Sequence, residues 1–494
     1  MIVIILIYSL VKLYLILNIY QQSHYQIKAY LKHFITNIFH YDFIPLILFI
    51  LSEFIIKNDV FSLFCIISIV IYSISYLIAK VNLKFSNRII RLIIFSITYL
   101  TFLSLLKIGK YFLLLIEFSI LPILLIEIFI SYLINKKYLN QTIKELKCYK
   151  GTKIIVTGSY GKTTTKKLFN QALNLYYSSI ATPKSYNTPL GIAKFVNDSN
   201  INYYDYVVLE YGISKKNEMN RLLYLTKPDI SVITEIGYMH MTGFNTINDV
   251  LNEKMKLAEE SKIAVLNYDN DYIRNYSFKN KNIVILSYGL SYGDYQAKNL
   301  LINEFSVYYK NEYLITIKHS FVLSHQILNT LAIIAYLHYL GCDLNVLANV
   351  LSSFELEKNR FEIKYYNKHM IIDDSFNSNL VGFKNSLNYI NKINKFKILI
   401  TPGLVELGKY QKKINDELTF SIASSVDVVI VVGYHEVDDL YYKLKNYNLE
   451  VYRCLTFKEA YRLYKSLIFK LDESVLLIEN DLPDIYKRRF LLWK

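Results

Sequence analysis

The stretch TGSYGKTTT, Thr157–Thr165, decides how the chain is read. Ile154 to Thr157 is a short β-branched run that reads as a strand. Gly158 and Gly161 permit backbone angles other residues avoid, so amides of the intervening loop, Ser159 among them, can turn inward toward phosphate oxygens. Lys162 supplies a charge for the outer phosphates. Thr163 offers a hydroxyl to Mg²⁺, Thr164 follows it, and the helix that begins here aims its positive end at the same place. The spacing is not G-x-x-x-x-G-K-[ST], because Val156 stands where the first glycine would fall; it is the shorter G-x-x-G-K-T-T.

Downstream, YYDYVVLEYG reads as a buried strand with Glu210 at its carboxyl end. PDISVITEIGYMHMTGF reads as another and reaches His240 just past its end. TINDVLNEKMKLAEE reads as a helix carrying Lys254. In an open α/β sheet, ligands collect at the carboxyl ends of strands, so Thr163, Glu210 and His240 are expected on one edge. A strand-end glutamate is otherwise a solvated acid and a lone histidine a surface residue. The adjacent phosphate loop is what turns them into candidate Mg²⁺ ligands.

Upstream the composition changes. Five apolar stretches precede the loop, at about 1–20, 43–56, 60–79, 89–106 and 111–134. Most approach the ~20 residues that cross a bilayer as helix. The second is short and carries Glu53, which suits a re-entrant segment. No basic segment precedes the first stretch and no small-residue cleavage site follows it, so it does not read as a signal peptide. Residues 80–91 hold Lys80, Lys84, Arg88 and Arg91, and 135–150 hold five lysines. The positive-inside rule then puts everything after residue 135 in the cytoplasm of a multi-pass protein of the cell membrane. The competing reading is a buried helical core in a soluble protein. Net charge is +15, but Lys and Arg are scattered and no nucleic-acid module is recognisable, so basic residues near anionic lipid explain the charge. Cys65, Cys148, Cys342 and Cys454 are far apart and have no zinc spacing, as expected of reduced thiols.

After about residue 357 strands and helices alternate: HMIIDD, FKILITPG, VDVVIVVG, EVYRC and SVLLIEN, with helical segments such as TFKEAYRLYKSL between them. That pattern is a second doubly wound domain.

TGSYGKTTT, KSYNTPLG, LEYGISKKNEMNRL, DISVITEIGYMHMTGF, NEKMK, SHQILNTLA, EKNRFEI, IDDSFNSN and LVELG follow one another in an order that resembles the Mur ligases, most of all the branch that adds D-alanyl-D-alanine to the muramyl tripeptide precursor. The likeness is close over 151–410 and loose beyond. The apolar stretches mark out a transmembrane helical region at 1–135 and a basic linker at 136–150, and the likeness implies a central P-loop ATPase domain at 151–356 and a Rossmann-like carboxyl-terminal domain at 357–494. It further implies an ATP-dependent amide ligase in which a carboxylate becomes an acyl phosphate that an amine displaces. Under that resemblance Lys162 holds the β- and γ-phosphates. Thr163 and Glu210 bind one Mg²⁺, and His240 binds a second beside Lys254, which is often carbamylated in relatives. Asn187 lies near the reacting groups, and Asn329, with His325 nearby, meets adenine. Arg360 and Asp374 reach the nucleotide from the last domain, in a loop shaped by Asn377 and Asn379.

The departures concern the substrate. The soluble uridine-nucleotide domain of a standard member is replaced by apolar segments. DDSFNSN is followed by LVGF rather than proline, and LVELG is not followed by histidine. IENDLPD stands where relatives carry a Lys-Gly-Ser type loop, and Glu479 to Asp484 read first as solvated loop acids or a strand cap, and second as a seat for a cationic amine. The expected function is a membrane-anchored ligase that adds an amino acid or D-alanyl-D-alanine to a cell-envelope precursor, either lipid-linked or membrane-proximal. Two rivals remain. A transporter or flippase would need paired ionisable groups in the apolar stretches, which hold Lys12, Glu53, Glu117 and Glu127. A catalytically dead scaffold would have lost the chemical residues, and Lys162, Glu210, His240, Lys254 and Arg360 are all present.

Overall fold

The computed structural model describes residues 2–23, 25–28, 30–31, 83–106, 116–239, 241, 243–301, 304–318, 324–351, 361–375, 378–405, 407–433, 437–469 and 471–480. The chain divides into two compact units, with the division between Lys137 and Tyr138.

The first unit is helical, with helices over Ile2–Gln22, Asn87–Ser104 and Ile116–Ser119 and the start of a longer one at Leu121. The Ser86 hydroxyl accepts from the Ile89 amide and caps the second of these. Leu13, Leu17, Leu92, Leu100 and Leu124 form its apolar interior. Glu127 is buried there and accepts from Arg88 at 2.7 Å, Arg91 at 2.8 Å and the Ser131 hydroxyl at 2.6 Å. Among the described residues one helix, Asn87–Ser104, is long and apolar enough to cross a membrane. The expected five crossings are therefore not what these residues support. The stretches 43–56 and 60–79 lie outside the described residues, as does the beginning of 111–134.

The second unit carries two sheets. The larger has strand order β2-β3-β1-β4-β5-β6-β7-β8-β9: β1 Thr152–Thr157, β2 Ser179–Ala181, β3 Tyr206–Glu210, β4 Ile230–Ile233, β5 Ile263–Asn267, β6 Val284–Gly289, β7 Tyr295–Lys298, β8 Glu304–Tyr309 and β9 Glu312–Lys318. It is parallel through β7 and antiparallel beyond. Its central strands are buried on both faces, which is why they read as unbroken apolar runs. Ile154 and Val156 point to one core, with Leu168, Phe169 and Leu331. Ile155 points to the other, with Leu209, Ile233 and Leu266. Each such side chain contributes roughly 1.5–3 kcal/mol by leaving water.

The helix Ser324–Tyr339 is buried nearly all round between the sheet and the helix Lys162–Leu173, which accounts for its apolar run LAIIAYL. It fixes Gln326 and Asn329 at the loop end of the sheet.

The smaller sheet has order β10-β11-β15-β12-β13-β14: β10 Glu362–Tyr366, β11 His369–Asp374, β12 Phe396–Thr401, β13 Val428–Val432, β14 Glu450–Cys454 and β15 Ser474–Glu479. Only β10 runs antiparallel. The last strand inserts between β11 and β12, so its carboxyl end lies in mid-sheet, with Glu479 in register with Asp374.

Candidate active site

β1 ends in the glycine loop. Gly161 has φ +78°, in the left-handed region, and precedes the helix Lys162–Leu173. Gly158 is glycine for space: a Cβ there would lie 2.0 Å from the Thr234 hydroxyl. The loop is tied to the segment after β4. The Ser159 amide donates to the Glu235 carbonyl at 2.6 Å, and the Ser159 hydroxyl donates to the Gly237 carbonyl at 3.1 Å. The Tyr160 hydroxyl donates to the Tyr238 carbonyl at 2.9 Å, and the Thr234 hydroxyl lies within bonding distance of the Tyr160 carbonyl.

Lys162 curls back over this loop. Its Nζ donates to the carbonyls of Gly158 at 2.9 Å and Ser159 at 3.1 Å. Lys254, on the helix Ile247–Glu259, donates to the same Gly158 carbonyl at 2.9 Å. That helix is held by a capping box between Thr246 and Asp249. Lys254 is buried, and burial, together with the nearby Lys162 charge, holds its pKa well below the ordinary lysine value.

Glu210 stands at the end of β3, as expected, but it is not solvated. It is 1 % exposed, paired with Lys166 at 3.1 Å, and it accepts from the Asn187 amide at 3.0 Å. A Cβ at position 212 would fall 2.6 Å from Asn187, so Gly212 makes room for it. Lys166 escaped the sequence reading. It lies four residues after Lys162, hence on the same helical face, and that spacing was the available signal.

Lys162, Glu210 and Asn187 border one cavity of about 550 Å³ that also takes in Thr163, Thr164, His325 and Asn329, and whose lining does not include Lys166 or Lys254. Asn329 reaches the loop directly: a Cβ on Gly161 would sit 3.0 Å from its Oδ1. From the second sheet the cavity receives Asp374, Ser378, Asn379 and Glu479. The two lobes also meet where the Tyr410 hydroxyl donates to the Asn245 carbonyl at 3.3 Å and the Tyr238 and Tyr410 rings lie 5.1 Å apart. His240, Arg360 and Asn377 lie outside the described residues. Asn379 caps the helix Leu380–Asn391 by accepting from the Gly382 amide at 2.9 Å.

Two acids were missed or misread. Glu235 lines the cavity and accepts from the side chains of Asn267 at 3.0 Å and Asn270; burial raises its pKa to about 7. Glu479 was expected first as a solvated loop acid. It is instead fully buried, because β15 ends inside the sheet.

Thr163 and Glu210 give an oxygen pair beside the phosphate loop, which fits a magnesium ion that arrives with a polyphosphate. Among the described residues no group of three or more His, Cys, Asp or Glu gathers to hold a metal by itself. Lys254, as an unmodified amine hydrogen-bonded to a carbonyl, is not a metal ligand.

Residues 156–337 match the Mur ligase middle domain. The chain is 28% identical over 339 residues to UDP-N-acetylmuramoyl-tripeptide–D-alanyl-D-alanine ligase of Borreliella burgdorferi, covering 66% of this chain and 71% of that one. In structure it resembles MurF from Acinetobacter baumannii (TM-score 0.64, 20% identity, 72% of this chain and 79% of that one). It also resembles the Thermotoga maritima MurF ligase solved with ADP (TM-score 0.61, 23% identity, 70% and 80%). These structural likenesses concern the fold. The sequence match over residues 156–337 makes this part of the chain similar to the Mur ligase middle domain, and the two sheets are similar in fold to those of MurF.

Proposed function

We propose that the chain is an ATP-dependent amide ligase that extends a cell-envelope precursor by an amino acid or dipeptide. The observation that carries this reading is the single cavity bordered on one side by the phosphate loop and on the other by the carboxyl ends of β11 and β15. A carboxylate is a poor electrophile, and transfer of a phosphoryl group to its oxygen makes that oxygen a leaving group. The protein's part is positioning and charge neutralisation.

Loop amides and Lys162 would hold the outer phosphates, with Lys162 exchanging its carbonyl partners for phosphate oxygens. Thr163 and Glu210 would hold Mg²⁺, which neutralises phosphate charge. Asn329 and His325 would border the adenosine. Asn187, held by Glu210, would orient the reacting groups, while Asp374 would approach the nucleotide from the second lobe. His240 is proposed for a second metal and Arg360 for the γ-phosphate. Lys254 has the depressed pKa that carbamylation requires, since only a neutral amine adds carbon dioxide. D-alanyl-D-alanine and a muramyl peptide are the first substrates to try, because the Borreliella burgdorferi relative carries them in its name.

The amino-terminal unit is proposed to hold the ligase at the cytoplasmic face of the cell membrane, near a lipid-linked or membrane-proximal acid. The test is ADP release by the full-length protein in detergent, with Mg²⁺, muramyl tripeptide acceptors (free and lipid-linked) and a panel of amines. Release that requires both acid and amine supports the ligase. Steady hydrolysis with neither would overturn it.

A further inference from the structure

Glu479 is an unusual strand-end acid. It is fully buried, and its Oε2 has no hydrogen-bond partner, although the residue borders the cavity. Its other oxygen accepts from the Ser378 hydroxyl. Asp374 stands beside it on the adjacent strand and is better supplied: Oδ1 accepts from the Phe361 amide at 3.1 Å and Oδ2 from the Ser386 hydroxyl at 3.0 Å. Buried carboxyl oxygens normally have partners, and an exception calls for an explanation.

We propose that Glu479, with Asp374 behind it, forms the subsite that takes the primary ammonium group of the incoming amine; this rests on the ligase reading above. The unpartnered oxygen supplies the acceptor and the neighbouring carboxylate supplies the charge. Burial and the Asp374 charge both hold Glu479 toward its protonated form in the empty site, so the pair carries less than two negative charges until a cation arrives. An ammonium group suits this arrangement better than a metal ion does. A divalent cation needs several converging ligands, and among the described residues no third acid, histidine or cysteine joins these two carboxyls to hold one. The site also faces the cavity from the lobe opposite the lysines of the phosphate loop, so amine and activated carboxylate would approach from opposite sides.

The test is calorimetric binding to the full-length protein in detergent with Mg²⁺ and a non-hydrolysable ATP analogue. The probes are D-alanyl-D-alanine, its N-acetyl form, L-lysine and glycine ethyl ester. At least one free amine is expected to bind, and its N-acetylated counterpart at least tenfold more weakly. Glu479→Gln, which keeps the side-chain shape, is expected to weaken amine binding about tenfold and leave analogue affinity within twofold. Glu479→Asp, which retracts the carboxyl, is expected to fall between them. Equal binding of amine and N-acetyl amine, an unchanged amine affinity in Glu479→Gln, or a loss of Mg²⁺ affinity instead would each overturn the subsite. So would a protein that binds the analogue but none of the amines, and that outcome leaves the nucleotide site standing. Failure to bind the analogue at all, in wild type as in Lys162→Ala, would sink the ligase reading itself and the subsite with it.

Discussion

Glu210 and Glu479 occupy the same place in two different sheets. Each ends a parallel strand, each is essentially excluded from solvent, and each borders the same cavity. Their neighbours differ. Glu210 meets Lys166 and Asn187, so its charge is matched and both oxygens are engaged. Glu479 meets a second acid and the Ser378 hydroxyl, with Ser386 nearby, and its Oε2 is buried without a hydrogen bond. Strand-end position alone therefore does not set the chemistry of a carboxyl; the residues placed across from it do. The first is paired with a lysine and an amide, and the second keeps one buried oxygen without a hydrogen bond.

The contrast can be broken most severely at Lys166. Lys166→Ala would leave Glu210 buried without its cation, and a loss of about 3–5 kcal/mol is expected in a denaturant melt. A loss under about 1 kcal/mol would mean that the Lys166 pair is not what holds Glu210 in the core. Lys162→Ala should spare the melt but lower ADP formation about 100- to 1,000-fold, the effect of removing one preorganised charge at a phosphoryl group. Near-normal turnover would show that the curled lysine never leaves the loop carbonyls.

Glu235 tests the same logic at an intermediate degree of burial. Its folded pKa of about 7 lies above the ordinary 4.5, so the folded state holds the extra proton between those values. Its contribution is full below about pH 4.5 and is lost as pH rises through about 7. Glu235→Gln should therefore gain on the wild type between pH 5 and pH 8, by about 1–3 kcal/mol because the side chain is partly open to the cavity. Parallel stability–pH curves would refute the shift. The smallest expected change is in the melt of Glu479→Gln at pH 8, within about 1 kcal/mol of wild type or above it, because no cation is left behind. A loss as large as that of Lys166→Ala would erase the distinction between the two glutamates.

The glycine loop was legible because its chemistry is local: two glycines, a lysine and a threonine at fixed spacing specify strand, turn and helix start. Glu210 and Asn187 were legible through motif order. The burial of Glu479 was not, since IENDLPD looks like a polar loop and only the insertion of β15 between β11 and β12 encloses it. Lys166 and Glu235 were missed for a similar reason. Each is an ordinary charged residue in sequence, and what marks it is a partner many residues away: Glu210 for one, Asn267 and Asn270 for the other. At the amino end, apolar composition suggested five spans, while the described residues hold one helix that meets the length and composition of a crossing.

The stitching of Ser159, Tyr160 and Gly158 to the segment after β4 has a mechanical consequence. A loop pinned by its own amide, its hydroxyls and a glycine contact too tight for a methyl cannot act as a flap. It is a socket that travels with its sheet. The wall that faces it is formed by the β11 and β15 ends of the other lobe.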